Sequence, residues 1–145
     1  MIDVEVLGAG LAPGAPGRGE IERLCERAAA SRGVSAGHVA IEFVDEARIA
    51  RLNGEHRGKP AATDVLSFPI DGVEPIGAAG AATGGGSPAA PVPRELGDIV
   101  ICPARTADLR EAVVHGMLHL LGMDHERDDG EMLALQRELL AGART

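Results

Sequence analysis

The segment VVHGMLHLLGMDH constrains the fold of this chain more than any other part of it. Thr106 can cap a helix that runs through this segment to about Leu121, and Gly122 can adopt the left-handed conformation that ends a helix. The helix is otherwise apolar, so His115 and His119 would lie in a largely hydrophobic wall. Buried polar groups need partners, so the two imidazoles require a ligand or hydrogen bonds.

The spacing of the histidines favours a metal ligand. His115 and His119 are four residues apart, so on a helix they project from one face about one turn apart, and two imidazoles can bind one zinc ion. Gly122 can turn the chain so that His125 returns to the same point. Asp124 is more simply an aspartate of a surface turn, although it could also orient a ligand. Three imidazoles with an open fourth position are typical of catalytic zinc, since structural zinc has a fourth protein ligand and none is evident here.

The metzincin proteases share this spacing but differ at one position. Their motif reads HExxHxxGxxH, and the glutamate after the first histidine is the general base. Gly116 occupies that position here. Without a carboxylate beside the first ligand, peptide hydrolysis lacks its proton acceptor, so the sequence predicts the metal and disfavours the peptidase chemistry.

Hydrophobic periodicity predicts further strands and helices along the chain. Strands are predicted for IDVEVL at the start, for the alternating Val39, Ile41 and Phe43, for Thr63–Pro69 and for Gly97–Cys102. Helices are predicted for Glu20–Arg32 with Gly33 at its end, for a short helix capped by Asp45 and ended by Asn53-Gly54, and for a last helix that buries Met132, Leu135, Leu139 and Leu140 before Gly142.

A Gly-, Ala- and Pro-rich stretch separates the third and fourth predicted strands. The residues between Asp71 and Pro93 offer little side chain to bury against the entropy cost of ordering. We therefore expect a mobile surface loop over residues 71–96, which is either a functional lid or an insertion without consequence.

Length and composition limit the classes of protein that fit. The 145 residues suffice for one domain with a real core, and the apolar runs are shorter than the ~20 residues of a membrane span. Asp3 and Glu5 stand where a secretory signal would have positive charge, so we expect a cytoplasmic protein. Cys25 and Cys102 lack metal or redox spacing and are expected to be buried thiols.

The net charge of −8 argues against nucleic-acid binding over the whole surface. Any RNA contact must depend on a local basic patch, for which Arg48, Arg51, Arg57 and Lys59 are available. Phe43 and Phe68 are the only aromatic residues of the Phe, Tyr and Trp types, which excludes a base-stacking platform. His38 is expected at the surface, and His56 at most beside the site.

Three segments resemble the YbeY-type rRNA maturation endoribonucleases. HGMLHLLGMDH matches the family signature, TDVLSFP matches a second block, and LNGEHRGK and GDIVI fit the flanking segments. The resemblance implies one α+β domain over residues 1–145, with a small mixed sheet packed with helices and a zincin-like metal helix. It also implies one Zn²⁺ per chain, held by His115, His119 and His125.

The resemblance further implies a single-strand-specific, metal-dependent endoribonuclease that acts in 16S rRNA 3′-end maturation and ribosome quality control. Its expected partners are single-stranded RNA and the ribosome or ribosomal proteins, with no membrane. The family's functional arginine falls on Arg57, whose guanidinium can hold a phosphate through two hydrogen bonds. Ser67 either lines the groove or is satisfied by backbone, and the short segment before His115 predicts little helix ahead of the ligands.

Two other functions remain open at this point. One is a different tri-histidine zinc hydrolase, peptidases included. The other is a non-catalytic ribosome-assembly factor whose metal only stabilises the fold. The oligomeric state and the metal used in the cell are not determined by the sequence, because three imidazoles also accept nickel, copper or iron.

Overall fold

The computed structural model describes residues 2–58, 61–70, 95–123 and 130–143, without the side chains of residues 57, 142 and 143. The described strands are β1 (Ile2–Leu7), β2 (Gly37–Phe43), β3 (Val65–Pro69) and β4 (Glu95–Ile101). The described α-helices are α1 (Arg18–Ser31), α2 (Glu46–Arg57), α3 (Leu109–Leu120) and α4 (Glu131–Ala143). Short 3₁₀ turns lie at Ala9–Leu11 and Pro103–Arg105.

The four strands form one mixed sheet in the order β1-β2-β4-β3. β1, β2 and β4 are parallel, and β3 runs antiparallel to β4. In this register Ile41 lies beside Ile99, and Ile99 lies beside Ser67 on the edge strand. The α+β fold with a small mixed sheet of four strands is therefore confirmed.

Helices cover the two faces of the sheet unequally. One face packs against α1, α3 and α4 in a large core that includes Ile41, Ile99 and Ile101. The opposite face packs against α2, where Ile49 contacts a smaller cluster of buried side chains, namely Val44, Leu66, Val100 and Cys102. The histidine-bearing helix and α2 therefore lie on opposite sides of the sheet.

The helix α3 lies in the large core, as its sequence predicts. Its buried apolar residues are Ala112, Val113, Val114, Met117, Leu118 and Leu120. Its predicted start at Thr106 is wrong, because the Thr106 hydroxyl donates to the carbonyl of Cys102 at 2.7 Å. Asp108 is the N-cap instead and accepts from the backbone N–H groups of Arg110 and Glu111. Only residues 109–114 of α3 precede its first histidine, which agrees with the short helical segment expected there.

The helix α2 begins as predicted and ends later than predicted. The carboxylate of Asp45 accepts from the backbone N–H of Arg48 at 2.8 Å, which confirms the cap. The predicted end at Asn53-Gly54 is wrong, because the helix continues to Arg57 and ends at Gly58 with a left-handed φ of 70°. The buried Asn53 amide donates to the carbonyl of Ala61 at 2.9 Å, so it does not compete with the helix backbone.

Smaller differences concern the ends of elements. β4 begins at Glu95, so residues 95 and 96 of the predicted loop belong to a strand, and residues 71–94 lie outside the described residues. β3 begins at Val65 rather than at Thr63. α4 includes Gly142, which was expected to follow it, and continues to Ala143 although glycine costs about 1 kcal/mol within a helix.

Two further predictions concern burial and membranes. Cys25 and Cys102 are fully buried thiols, as expected. Among the helices that the structure describes, none has both the length and the apolar character to cross a membrane.

Candidate metal centre

The imidazoles of His115 and His119 meet on one face of α3. Their Nε2 atoms are 3.1 Å apart, and the ring centroids are 4.7 Å apart with planes inclined at 77°. Both side chains are half-buried. The four-residue spacing therefore brings the two imidazoles together on one face of the helix, as helical geometry predicts.

The Nδ1 atom of His115 is held by α4. It lies 2.9 Å from Oε1 of Gln136, which is only 6% exposed. A carbonyl oxygen can only accept, so Nδ1 of His115 is the donor. In the neutral ring the lone pair is then at Nε2, the atom that faces His119.

The Nδ1 atom of His119 is held by the turn that follows α3. It donates to the backbone carbonyl of Met123 at 3.0 Å. This contact depends on Gly122, whose φ of 93° reverses the chain, so that the N–H of Met123 donates to the carbonyl of Leu118 at 3.0 Å. The predicted glycine turn is confirmed, and its effect is to orient the second imidazole.

The histidine pair fits two ligands of one zinc ion. Both neutral rings direct the lone pair of Nε2 toward the same point, as imidazole ligands must. Two nitrogens bound at ~2.05 Å to a tetrahedral zinc lie about 3.3 Å apart, close to the observed 3.1 Å. His125 and Asp124 lie outside the described residues, and within the described part no cluster of three metal-binding side chains forms. The third ligand therefore stays a prediction.

Gly116, between the two histidines, faces the sheet. A Cβ atom at this position would lie 2.6 Å from Cγ2 of Ile99. The Gly116 carbonyl accepts a hydrogen bond from the hydroxyl of Ser67 at 3.1 Å, so Ser67 is satisfied by backbone. A side chain at position 116 would point into the core rather than toward the imidazoles.

Arg57 is the last residue of α2, and its side chain lies outside the described atoms. Its backbone lies on the sheet face opposite to α3. The sheet between α2 and α3 ends at the edge strand β3. The phosphate-binding role of Arg57 is therefore neither confirmed nor contradicted. The same holds for Lys59.

A groove of about 410 Å³ lies on the α2 face of the sheet. Its walls include the carboxylates of Glu5, Glu42 and Asp98, with Arg48 and His56 on the helix side. In the sheet register Glu5 and Asp98 flank Ala40, so one acidic residue lies on each side of the groove floor. The excess of negative charge disfavours a polyphosphate in this groove.

His38 and His56 lie apart from the histidine pair. Nδ1 of His38 is 2.6 Å from Oε1 of Glu95, and its Nε2 is 3.9 Å from Oε1 of Glu5. The hydrogen bond with Glu95, followed by the charges of Glu95, Asp3 and Glu5, raises the pKa of His38 above 6.5 against a lowering by burial. His56 is exposed and packs its ring on Phe68 with centroids 4.6 Å apart.

Gln136 is the residue of this centre that the sequence analysis missed. Its position was detectable, because it completes the helical stripe of Met132, Leu135, Leu139 and Leu140. A polar residue in a buried stripe needs a partner, and that need is the signal that indicates its role.

The family is decided by comparison with known proteins. The family model described as "Endoribonuclease YbeY" matches residues 18–144 of the chain. The chain belongs to the YbeY family. Its relatives include an Endoribonuclease YbeY of Bacillus cytotoxicus, 38% identical over 140 aligned positions that cover 83% of this chain and 82% of the relative.

Other members of the YbeY family show similar levels of identity. The Endoribonuclease YbeY of Geobacillus kaustophilus is 40% identical, with 83% of each chain covered. That of Mycobacterium sp. strain KMS is 42% identical over 72% of this chain, which spans 63% of the mycobacterial protein's length. A protein of known solution structure from Thermotoga maritima is 25% identical, with a TM-score of 0.49, and the match covers 97% of this chain and 88% of that one.

Proposed function

We propose that this YbeY-family chain is a metal-dependent endoribonuclease that cleaves single-stranded RNA, acting in maturation of the 16S rRNA 3′ end and in ribosome quality control. The relatives are named endoribonucleases. The observation that carries the metal part of the proposal is the 3.1 Å approach of two Nε2 atoms in rings whose Nδ1 atoms donate elsewhere.

In this proposal His115, His119 and His125 hold one zinc ion per chain. When bound, zinc supplies a Lewis acid that polarises a phosphoryl oxygen or lowers the pKa of water. Arg57 binds the scissile phosphate through two hydrogen bonds and balances the negative charge that develops on it. The histidine pair is half-buried, and electrostatic interactions there are stronger than in water because the local dielectric constant is lower.

The charge distribution bears on how RNA reaches the site. The chain has a net charge of −8, and the acidic groove on the α2 face repels phosphates. Free RNA should then bind weakly and in a salt-sensitive way. The proposal therefore includes recruitment through ribosomal proteins, in the cytoplasm where ribosomes are assembled.

The packing of Gly116 weighs against the peptidase alternative. The metzincin general base occupies the position after the first histidine. Here that position faces Ile99, and even a Cβ atom would approach Cγ2 of Ile99 to 2.6 Å. The fold around α3 thus leaves no room for a carboxylate that could reach the histidine pair from position 116.

The test combines metal content with cleavage. Purified protein and the variants His115→Ala, His119→Ala and His125→Ala are assayed for zinc per chain, then incubated with unstructured RNA and with casein. We expect one zinc per wild-type chain, cleavage of RNA alone, and loss of zinc and cleavage in each variant. His38→Gln is the matched control, because it removes a histidine that contacts Glu95 and lies apart from both the histidine pair and Arg57.

The same experiment separates the remaining functions. Cleavage of casein alone would replace the nuclease proposal with the peptidase one. A folded His119→Ala protein that has lost zinc but still cleaves RNA would contradict the catalytic role of the metal. A wild-type protein that binds zinc and cleaves neither substrate, in the presence of ribosomal subunits as well, would favour the assembly factor. Product ends distinguish attack by the 2′-hydroxyl, which leaves a cyclic phosphate, from attack by water.

A further inference from the structure

We infer that Gln136 is a positioning residue of the metal centre, which holds the His115 ring so that its Nε2 faces His119. This inference rests on the metal binding in the proposed function. The Oε1 atom of Gln136 lies 2.9 Å from Nδ1 of His115, and the side chain is 6% exposed. Gln136 belongs to α4, so the orientation of a ligand on α3 is set by a different helix.

The identity of the amide atom that faces His115 decides the tautomer of the ring. Oε1 accepts, so the proton of the neutral ring is placed on Nδ1 and the lone pair on Nε2. If the amide NH₂ faced Nδ1 instead, the proton would move to Nε2 and the ring could not bind a cation there. The contact thus fixes both the direction of the ring and its ability to act as a ligand.

The backbone of Gln136 is held firmly enough to do this. Met132, one turn before it, is fully buried, and Leu139 and Leu140 after it are at most 9% exposed. All three side chains belong to the large core that also contains the buried residues of α3. Because α4 is packed against α3, the backbone from which the amide reaches His115 is fixed relative to the helix that carries the imidazole.

His119 has an equivalent contact of a different kind. Its Nδ1 donates to the backbone carbonyl of Met123, so its acceptor does not belong to a side chain that a substitution could replace. Of the two contacts, the one made by Gln136 can therefore be tested by substituting a single side chain. The prediction is that a side chain without an acceptor at position 136 weakens metal binding, whereas a side chain of the same length with an acceptor there preserves it.

Two substitutions at position 136 separate positioning from packing. Gln136→Met keeps the length of the side chain and removes the acceptor, and Gln136→Glu keeps an acceptor at the same place. Ile49→Val is the control, because it weakens the smaller cluster on the opposite face of the sheet and leaves the packing of α4 unchanged. For each protein the zinc dissociation constant is measured by competition with a chelating dye, and the absorption spectrum is recorded with Co²⁺ bound.

We expect Gln136→Met to bind zinc ~10–100-fold more weakly than wild type, the range found when such partners of metal ligands are removed. Gln136→Glu should bind zinc about as well as wild type and give the wild-type Co²⁺ spectrum, whereas Gln136→Met should give an altered spectrum. Ile49→Val should lower the melting temperature while its zinc affinity stays at the wild-type level.

Three results would overturn the inference. They are wild-type zinc affinity in Gln136→Met, a loss in Gln136→Glu as large as that in Gln136→Met, and a loss of affinity in Ile49→Val that follows its loss of stability. The nuclease proposal fails separately, when the wild-type protein binds zinc in a Gln136-dependent way and leaves RNA intact. If the wild-type chain binds no metal, both fail together.

Discussion

The hydroxyl of Ser67 on β3 donates to the backbone carbonyl of Gly116 on α3, with the two oxygen atoms 3.1 Å apart. This contact joins the edge strand of the sheet to the part of the helix that lies between the two imidazoles. Together with the approach of Gly116 to Ile99, it sets the height of the histidine pair above the sheet. The positions of His115 and His119 thus depend on Ser67 and Ile99, two residues of the sheet that are not among the proposed metal ligands.

Ser67→Ala should reduce the free energy of unfolding by about 1 kcal/mol, because one part-buried hydrogen bond is lost. Urea denaturation measures this loss. Ser31→Ala is a matched control, since the Ser31 hydroxyl donates to the carbonyl of Ala28 at the end of α1. We expect similar losses of stability in the two variants and weaker zinc binding only in Ser67→Ala. Equal zinc affinity in both would show that this contact does not affect the centre.

Gly116→Ala should destabilise the protein by about 1–3 kcal/mol, because the added methyl group overlaps the side chain of Ile99. Gly14→Ala is the control, since a Cβ atom at Gly14 meets no heavy atom within 4 Å. Ile99→Ala makes room, so the double variant Gly116→Ala/Ile99→Ala should lose less stability than the sum of the single variants. Additive losses in the denaturation measurements would show that this overlap is not the cause.

The His38–Glu95 contact predicts a pH-dependent contribution to stability. The pKa of His38 is raised in the folded state above the ordinary 6.5, chiefly by the hydrogen bond with Glu95. The folded protein then binds the proton more tightly than the unfolded chain, so this stabilisation is complete below pH 6.5 and is lost as the pH rises through the folded-state pKa. His38→Gln should therefore be less stable than wild type at about pH 6, with the difference shrinking toward about pH 9.

Glu95→Gln tests the cause of this dependence. It removes the main partner of His38, so the pH-dependent part of stability should fall as it does in His38→Gln. The double variant should then add little to either single one. Denaturation curves at several pH values measure all four proteins, and a stability difference that stays constant with pH would contradict the prediction.

Cys25 should resist thiol reagents as long as the protein is folded. Burial, followed by the charges of Glu26 and Glu22, raises the pKa of this thiol to about 12, and the thiolate is the reactive form. In a Cys102→Ala background, labelling of Cys25 should follow unfolding as denaturant is added. A surface thiol from Arg32→Cys is the control and should react at once, since Arg32 is exposed. Fast labelling of Cys25 without denaturant would contradict its burial.

The geometry of the histidine pair could be predicted because it is local. Residues four apart on a helix share a face whatever surrounds them, and a glycine after the last turn is the ordinary way to end a helix. The Asp45 cap and the strands with alternating burial were predictable for the same reason. Each depends on residues within a few positions along the chain.

The errors arose where distant residues decide the outcome. Thr106 is a good cap by type, but its hydroxyl donates to the carbonyl of Cys102, directly after β4, and Asp108 is the N-cap instead. Asn53 is of a type that often ends helices, but its amide donates to the carbonyl of Ala61, eight positions further along the chain. The contact of Gln136 with His115 spans 21 positions, and only the packing of α4 on α3 brings the two together.

The antiparallel pairing of β3 with β4 has a consequence for how such chains can vary in length. Pro69 lies opposite Gly97, and the N–H of Ile70 donates to the carbonyl of Leu96 at 3.1 Å, so residues 70 and 96 are cross-strand neighbours. Chain added or deleted between them begins and ends at nearly the same place, and loop closure becomes only slowly less favourable as a loop lengthens. This junction is therefore the natural position for splicing in an affinity tag or a reporter domain while the sheet keeps its register.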